Sequence, residues 1–265
     1  MTLLTLEKRG HVALLTLNRP EVLNALGREG DGEQVRAVCE AINADQDIRC
    51  VILTGAGKAF SAGGDLKAMR DRVGAFAGGG VAVRDGYRRN IHMVVRSLYG
   101  LDVPSIAAIN GAAIGLGCDV ACMTDIRIAA DSAVFGATFL KIGLVPGDGG
   151  SWLLPRVIGM SRAAELLYTG KTIDAATAER WGLVSQVVPA DRLIDEAMAM
   201  AEAIAQQPPH ALRLTKSLLR QGQSASYDAV MEMSAAVQAI AHQTADHMEG
   251  VNAMIERRPA RFEGR

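Results

Sequence analysis

Two stretches of this chain run from an apolar strand through a glycine-rich turn into the start of a helix. That shared plan limits the fold more than any other feature. The first runs from Val51 to Leu66 and carries Gly63-Gly64-Asp65; the second runs from Ser105 to Asp119 and carries Gly115-Leu116-Gly117. Small residues let another backbone or a ligand approach closely. A helix N-terminus presents unpaired N–H groups and a partial positive charge. Two such ends facing one point would make an oxyanion hole from main chain alone. The same glycines would equally serve two tight turns that need them only for packing, and the pattern by itself leaves both readings open.

The rest of the chain fits an α/β protein. Residues 2–8 and 11–17 read as a hairpin around Arg9-Gly10. Val35, Val38, Cys39 and Ile42 mark one helical face, and 49–54, 105–109 and 126–130 read as buried strands. The small, glycine-rich run 73–86 predicts a mobile loop, followed by a helix over 87–100. From Gly149 the pattern is mostly helical, with amphipathic helices over 211–219, 227–241 and 246–255. We divide the chain into a core region, 1–200, and a C-terminal helical region, 201–265.

Composition narrows the function. Twenty-eight Lys+Arg against 29 Asp+Glu leave a net charge of -1, which argues against nucleic acid as a partner. The most apolar stretch, 103–123, is interrupted by Pro104, Asn110 and Asp119, so no membrane span is expected. The start of the chain lacks a basic, then apolar, leader, which points to the cytoplasm. Four cysteines without paired spacing read as reduced core residues, with no metal site. Other motifs fail. Gly170-Lys171-Thr172 lacks the earlier glycine of a phosphate loop, and neither Ser61 nor Ser151 sits in a nucleophile-elbow frame. The five histidines are scattered and read as structural or solvent-facing.

A resemblance then emerges from several motifs in order. They are Asn18-Arg19-Pro20 with Asn24-Ala25-Leu26; Ala59 to Leu66; Ala108-Ile109-Asn110-Gly111 with Gly115 and Gly117-Cys118; Gly143-Leu144-Val145-Pro146; Trp181-Gly182-Leu183-Val184; and Arg257-Arg258-Pro259. The chain resembles the crotonase superfamily of enoyl-CoA hydratases and isomerases along nearly its whole length. That resemblance implies a spiral of repeated ββα units, a C-terminal helical region that trimerises (or pairs trimers into hexamers), and acyl-CoA thioester substrates. It implies that the N–H groups of Gly64 and Leu116 polarise the thioester carbonyl. It also implies that CoA lies across the first glycine segment. The binding candidates are Arg19, Ala25, Ala62, Gly63, Asp65, Leu66, Lys67, Gly115 and Phe139, with Lys67 and Arg19 for the phosphates. Coenzyme A is part of the substrate, and no separate cofactor is implied.

The carboxylates bear on the reaction. Family hydratases carry two glutamates, at the positions of Asp119 and Phe139; here one is shortened and the other is absent. Asp148, in Pro146-Gly147-Asp148-Gly149-Gly150, lies one position from an aspartate of some family isomerases, and its surroundings resemble the isomerases of phenylacetyl-CoA degradation. Moving a double bond needs one carboxylate that removes and returns a proton, whereas hydration favours two groups. We therefore expect Asp148 as the main acid/base and Asp119 as a second acid/base or water-positioning group. The competing readings are a helix cap for Asp148 and a turn cap for Asp119. The expected activity is hydration or double-bond isomerisation. Alternatives are a hydrolase or decarboxylase of the same fold, and a non-catalytic acyl-CoA- or RNA-binding relative.

Overall fold

The computed structural model describes residues 2–265; Met1, the first residue of the expected core region, lies outside the described residues. Strands β1 (Leu4–Arg9) and β2 (Val12–Leu17) form the expected antiparallel hairpin. Helix α1 (Asp31–Ala44) follows, burying Val35, Cys39 and Ile42. Three strand pairs come next: β3 (Cys50–Gly55) with β4 (Ala59–Ser61), β5 (Ser105–Ile109) with β6 (Ala112–Ile114), and β7 (Ile126–Ala130) with β8 (Val134–Gly136). The first member of each pair enters a six-stranded sheet of order β1-β2-β3-β5-β7-β10. The second enters a four-stranded sheet of order β4-β6-β8-β9. Strands β9 and β10 are Thr172–Asp174 and Gln186–Val188, with helix α7 (Met160–Thr169) ahead of β9 and α8 (Ala175–Trp181) between the two. Each turn of chain therefore adds one strand to each sheet, which is the ββα spiral expected from the sequence.

Strand β3 is buried along its whole length, as an uninterrupted apolar run should be in a parallel sheet. Its Val51 and Leu53 face a core that also holds Leu15, Phe60, Ile109 and Phe135. Its Cys50 and Ile52 face the other side, against α9 (Leu193–Ala205). Leu193, Ala197, Ala201 and Ala205 recur every fourth residue and are buried there, the small side chains letting α9 lie close on the sheet. The expected division at 200/201 falls inside this continuous helix. Three more helices complete the chain: α10 (Pro209–Gln221), α11 (Tyr227–His242) and α12 (Ala245–Glu256).

The segment between the first two glycine turns differs from expectation. Helix α2 (Leu66–Asp71) is followed by a short 3-10 turn and α3 (Gly80–Gly86), not by an irregular loop through residue 86. Within it Ala75 and Phe76 are buried, and Phe76 packs edge-on against Tyr87 at 6.0 Å. Residues Tyr87–Ile91 form a π-helical turn that leads into α4 (His92–Tyr99). Such turns shift the register of side chains around a helix and recur at functional sites.

Candidate active site

The two glycine turns meet. Strands β4 and β6 pair in parallel, bringing the N-terminus of α5 (Leu116–Met123) against the end of the first segment. Gly63 adopts φ +92°, and a Cβ there would lie 2.5 Å from the Ile114 carbonyl oxygen and 3.3 Å from the Leu116 nitrogen. Only glycine fits both the conformation and the space. Leu26 holds this turn, donating its N–H to the Gly63 carbonyl at 2.8 Å and accepting from the Asp65 N–H at 3.1 Å. The N–H groups of Gly64 and Leu116 have no hydrogen-bond partner among the described residues. Leu116 sends its side chain into the core, where it is buried, so only its backbone is offered at the turn.

Asp119 lies one helical turn beyond Leu116. Its carboxyl is fully buried, and Oδ2 accepts the Gly150 N–H at 3.0 Å, at the N-terminus of α6 (Gly150–Ile158). The capping reading of Asp119 thus describes a real contact. Oδ1 has no partner among the described residues. Burial, aided by Cys122 and the charge of Asp148, pushes its pKa well above the ordinary carboxylate range, against the lowering effect of the Gly150 N–H. A helix terminus favours an anion by up to about 2 kcal/mol, whereas desolvating one costs several. Burial therefore favours the neutral form of this side chain.

Asp148 does not cap α6; that position is Gly149, with φ +108° and no side-chain bond. Asp148 instead borders a cavity of about 490 Å3 between α4, the end of α5 and α6. Val95, Tyr99, Met123, Trp152 and Leu153 form its apolar wall, with His92 and Arg96 as the other polar lining. Asp148 Oδ1 has no partner among the described residues, and burial raises the carboxyl pKa to about 6. Tyr87, under the same turn, is raised to about 12 by burial first and the Asp148 charge second. The Tyr99 and Trp152 rings meet edge-on at 5.9 Å, with Arg220 over Tyr99 and Arg156 over Trp152. Neither Gly64 nor Leu116 borders this cavity; α5 is the link, carrying Leu116 at its start and Asp119 against the Asp148 turn.

Comparison with known proteins then decides the family. A family model described as "Enoyl-CoA hydratase/isomerase" matches residues 7–265. The chain belongs to the enoyl-CoA hydratase/isomerase family. It is 40% identical over 256 residues to a probable enoyl-CoA hydratase of Mycobacterium tuberculosis, covering 97% of this chain and 96% of that one. It is 39% identical over 255 residues to the 1,2-epoxyphenylacetyl-CoA isomerase of Escherichia coli K12, covering 96% and 95%. The crystal structure of an enoyl-CoA hydratase from Bacillus anthracis superposes with a TM-score of 0.92 at 35% identity, covering 99% and 100%. The fold is that of the crotonases, and the chain is an enzyme of the hydratase/isomerase type.

The remaining sequence candidates of this hydratase/isomerase divide sharply. Asp65 caps α2 through the Lys67 and Ala68 N–H groups and pairs with Arg28 at 3.1 Å. Leu66 and Lys67 are exposed beside it, and Ala25 is buried under the same turn. Ala62 donates its N–H to the Leu23 carbonyl at 2.8 Å. Phe139 stands against Gly115, its ring 3.9 Å from where a Cβ would be. Arg19 corrects the sequence reading. It is buried, and its guanidinium makes two bonds to Asp31, at 2.7 and 3.1 Å, while Asp31 also accepts the Gly27 and Arg28 N–H groups. A side chain so paired is not free to meet a phosphate. Arg28 was missed as a basic group beside the turn, as were His92, Tyr99 and Trp152 around the cavity. The spacing His92, Val95, Arg96, Tyr99 is one helical face, the signal that could have grouped two of them, His92 and Tyr99.

Proposed function

We propose that this hydratase/isomerase moves a double bond in an enoyl-CoA thioester, using Asp148 as its acid/base. The thioester oxygen lies between the Gly64 and Leu116 N–H groups, and the acyl chain enters the cavity beside Asp148. The Asp148 carboxylate removes a proton from C2 of a 3-enoyl thioester. The electron pair spreads over the dienolate, placing charge on the thioester oxygen, where each preorganised donor contributes about 3–4 kcal/mol. Asp148 then returns the proton to C4, leaving the 2-enoyl product. Proton transfer alone balances the reaction, so it calls for no cofactor beyond the coenzyme A of the substrate.

The observation that carries this reading is the unequal pair of carboxyls. Asp148 borders the cavity, its Oδ1 has no partner among the described residues and burial raises its pKa to about 6, while Asp119 is fully buried, bonded to Gly150 and does not border the cavity. One usable carboxylate suits isomerisation. Hydration is the second reading, favoured by relatives named as hydratases and by a second carboxyl, Asp119, against the Asp148 turn. A spectrophotometric assay separates them. Gain of conjugated-thioester absorbance from a 3-enoyl-CoA, with the 2-enoyl-CoA untouched, supports isomerisation; loss from the 2-enoyl-CoA supports hydration. Silence from both, with CoA binding intact, would move the reading to hydrolysis or decarboxylation.

We also propose a homotrimer, or a pair of trimers, built through the C-terminal helices. Tyr227, Met231 and Ile240 of α11, and Met248, Met254 and Ile255 of α12, leave an apolar surface exposed on a single chain. Light scattering on the eluting protein gives the mass directly. No helix is long and apolar enough to cross a membrane among the described residues.

A further inference from the structure

Asp148 Oδ1 has no hydrogen-bond partner among the described residues, so the backbone around it must place the carboxyl. That backbone is intrinsically loose, because Asp148 sits between Gly147 and Gly149, the latter at φ +108°. Backbone bonds brace both ends, the Gly147 N–H donating to the Val145 carbonyl at 2.7 Å and the Gly149 carbonyl accepting the Trp152 and Leu153 N–H groups at 3.0 Å, and two side chains add to them. On the far side, the Gly150 N–H is held by Asp119. On the near side, the Gly147 carbonyl is 2.9 Å from His92 Nε2. A carbonyl only accepts, so Nε2 carries the hydrogen and donates it.

His92 is itself braced. Its ring meets Tyr87 edge-on at 5.9 Å, and Tyr87 meets the buried Phe76 edge-on at 6.0 Å. Tyr87 also backs the turn directly, with Cε1 3.9 Å from where a Cβ on Gly147 would be. The π-helical turn at Tyr87–Ile91 lies between these anchors, setting the register in which Tyr87 and His92 both reach Gly147 while Asn90 turns to the Gly27 and Arg28 carbonyls. His92 and Asp148 border the same cavity.

We infer that His92 is a positioning residue for the reaction: its Nε2–H pins the Gly147 carbonyl and thereby aims the Asp148 carboxylate at the substrate. The inference rests on the reading of Asp148 as the acid/base. The carboxylate must reach both C2 and C4, and a displacement of about 1 Å is enough to lower a rate by about 100-fold.

The test uses four variants of the full chain: His92→Phe, His92→Gln, Asp148→Asn and the double variant His92→Phe/Asp148→Asn. Phe keeps the ring against Tyr87 and removes the donor; Gln keeps an N–H donor. Turnover of a 3-enoyl-CoA and exchange of the C2 protons in heavy water are measured, with thermal unfolding of each variant alongside. His92→Phe is expected to lower kcat and exchange by about 10- to 100-fold while KM moves less than about 3-fold. His92→Gln should recover most of that loss, and His92→Phe should add nothing once Asp148 is Asn. If His92→Phe does not fold, His92→Ala, which adds no volume, carries the same expectation. Wild-type kcat in the donorless variant overturns the inference, as do equal losses in Phe and Gln or a loss confined to KM. Wild-type rates in Asp148→Asn would instead overturn the reading of Asp148 itself.

Discussion

The Asp119 carboxyl and the Gly150 backbone are in direct contact: Oδ2 accepts the Gly150 N–H at 3.0 Å, and a Cβ on Gly150 would lie 2.2 Å from Oδ1. The glycine is what lets a buried carboxyl sit on the end of α6. Gly150→Ala must push Asp119 aside or shift the helix, so it is expected to destabilise the fold by about 1–3 kcal/mol. In an Asp119→Ala background the same change should cost about 1 kcal/mol less, because the clash is gone. A thermal or urea unfolding cycle over the four proteins measures this coupling; strict additivity would refute it.

Asp148→Asn is expected to lower kcat by about 100- to 10,000-fold, the usual contribution of a positioned acid/base. It should also stabilise the protein at neutral pH. Burial raises the folded pKa to about 6, above the ordinary value of 3.8, so the native state binds more protons between these limits. Stability from this group therefore falls as pH rises from about 4 to 6, and the penalty, about 1–3 kcal/mol, persists above. Unfolding at pH 4 and pH 7.5 checks the sign: the gain from Asn should be present at pH 7.5 and absent at pH 4.

The same pKa sets the activity profile. Proton removal requires the ionised form, so kcat/KM should rise with pH and level off above about 6. A pH–rate profile with its acid limb near 4 would show that another group controls the reaction.

Leu116 allows a backbone donor to be deleted. It is the first residue of α5, where proline is tolerated and the N–H has no partner among the described residues. Leu116→Pro should lower kcat by about 100- to 1,000-fold beyond the effect of Leu116→Ala, which loses the same core side chain but keeps the N–H. Equal rates in the two variants would remove Leu116 from the oxyanion site.

Arg19→Ala is expected to act on folding and not on CoA affinity. Breaking a buried ion pair by deleting one partner costs about 3–5 kcal/mol, because Asp31 is left buried and charged. Denaturant unfolding should show the loss, with the KM for enoyl-CoA nearly unchanged in the folded fraction.

Local pattern carried much of this protein. The hairpin at residues 4–17, the buried runs 50–55, 105–109 and 126–130, and the glycine turns before α2 and α5 were legible because periodicity and turn chemistry act over a few residues. The family followed from motifs spread along the chain. Tertiary structure decided what depends on contacts between distant segments. Arg19 could serve a phosphate in sequence, yet Asp31 claims it in space. Residues 73–86 are rich in glycine, yet Phe76 among them is buried against Tyr87. Asp119 and Asp148 are the same residue type, and their surroundings part because one is sealed under Gly150 while the other opens on a cavity. Ionisation follows desolvation, and desolvation is set by which elements pack together, which no single stretch of sequence states.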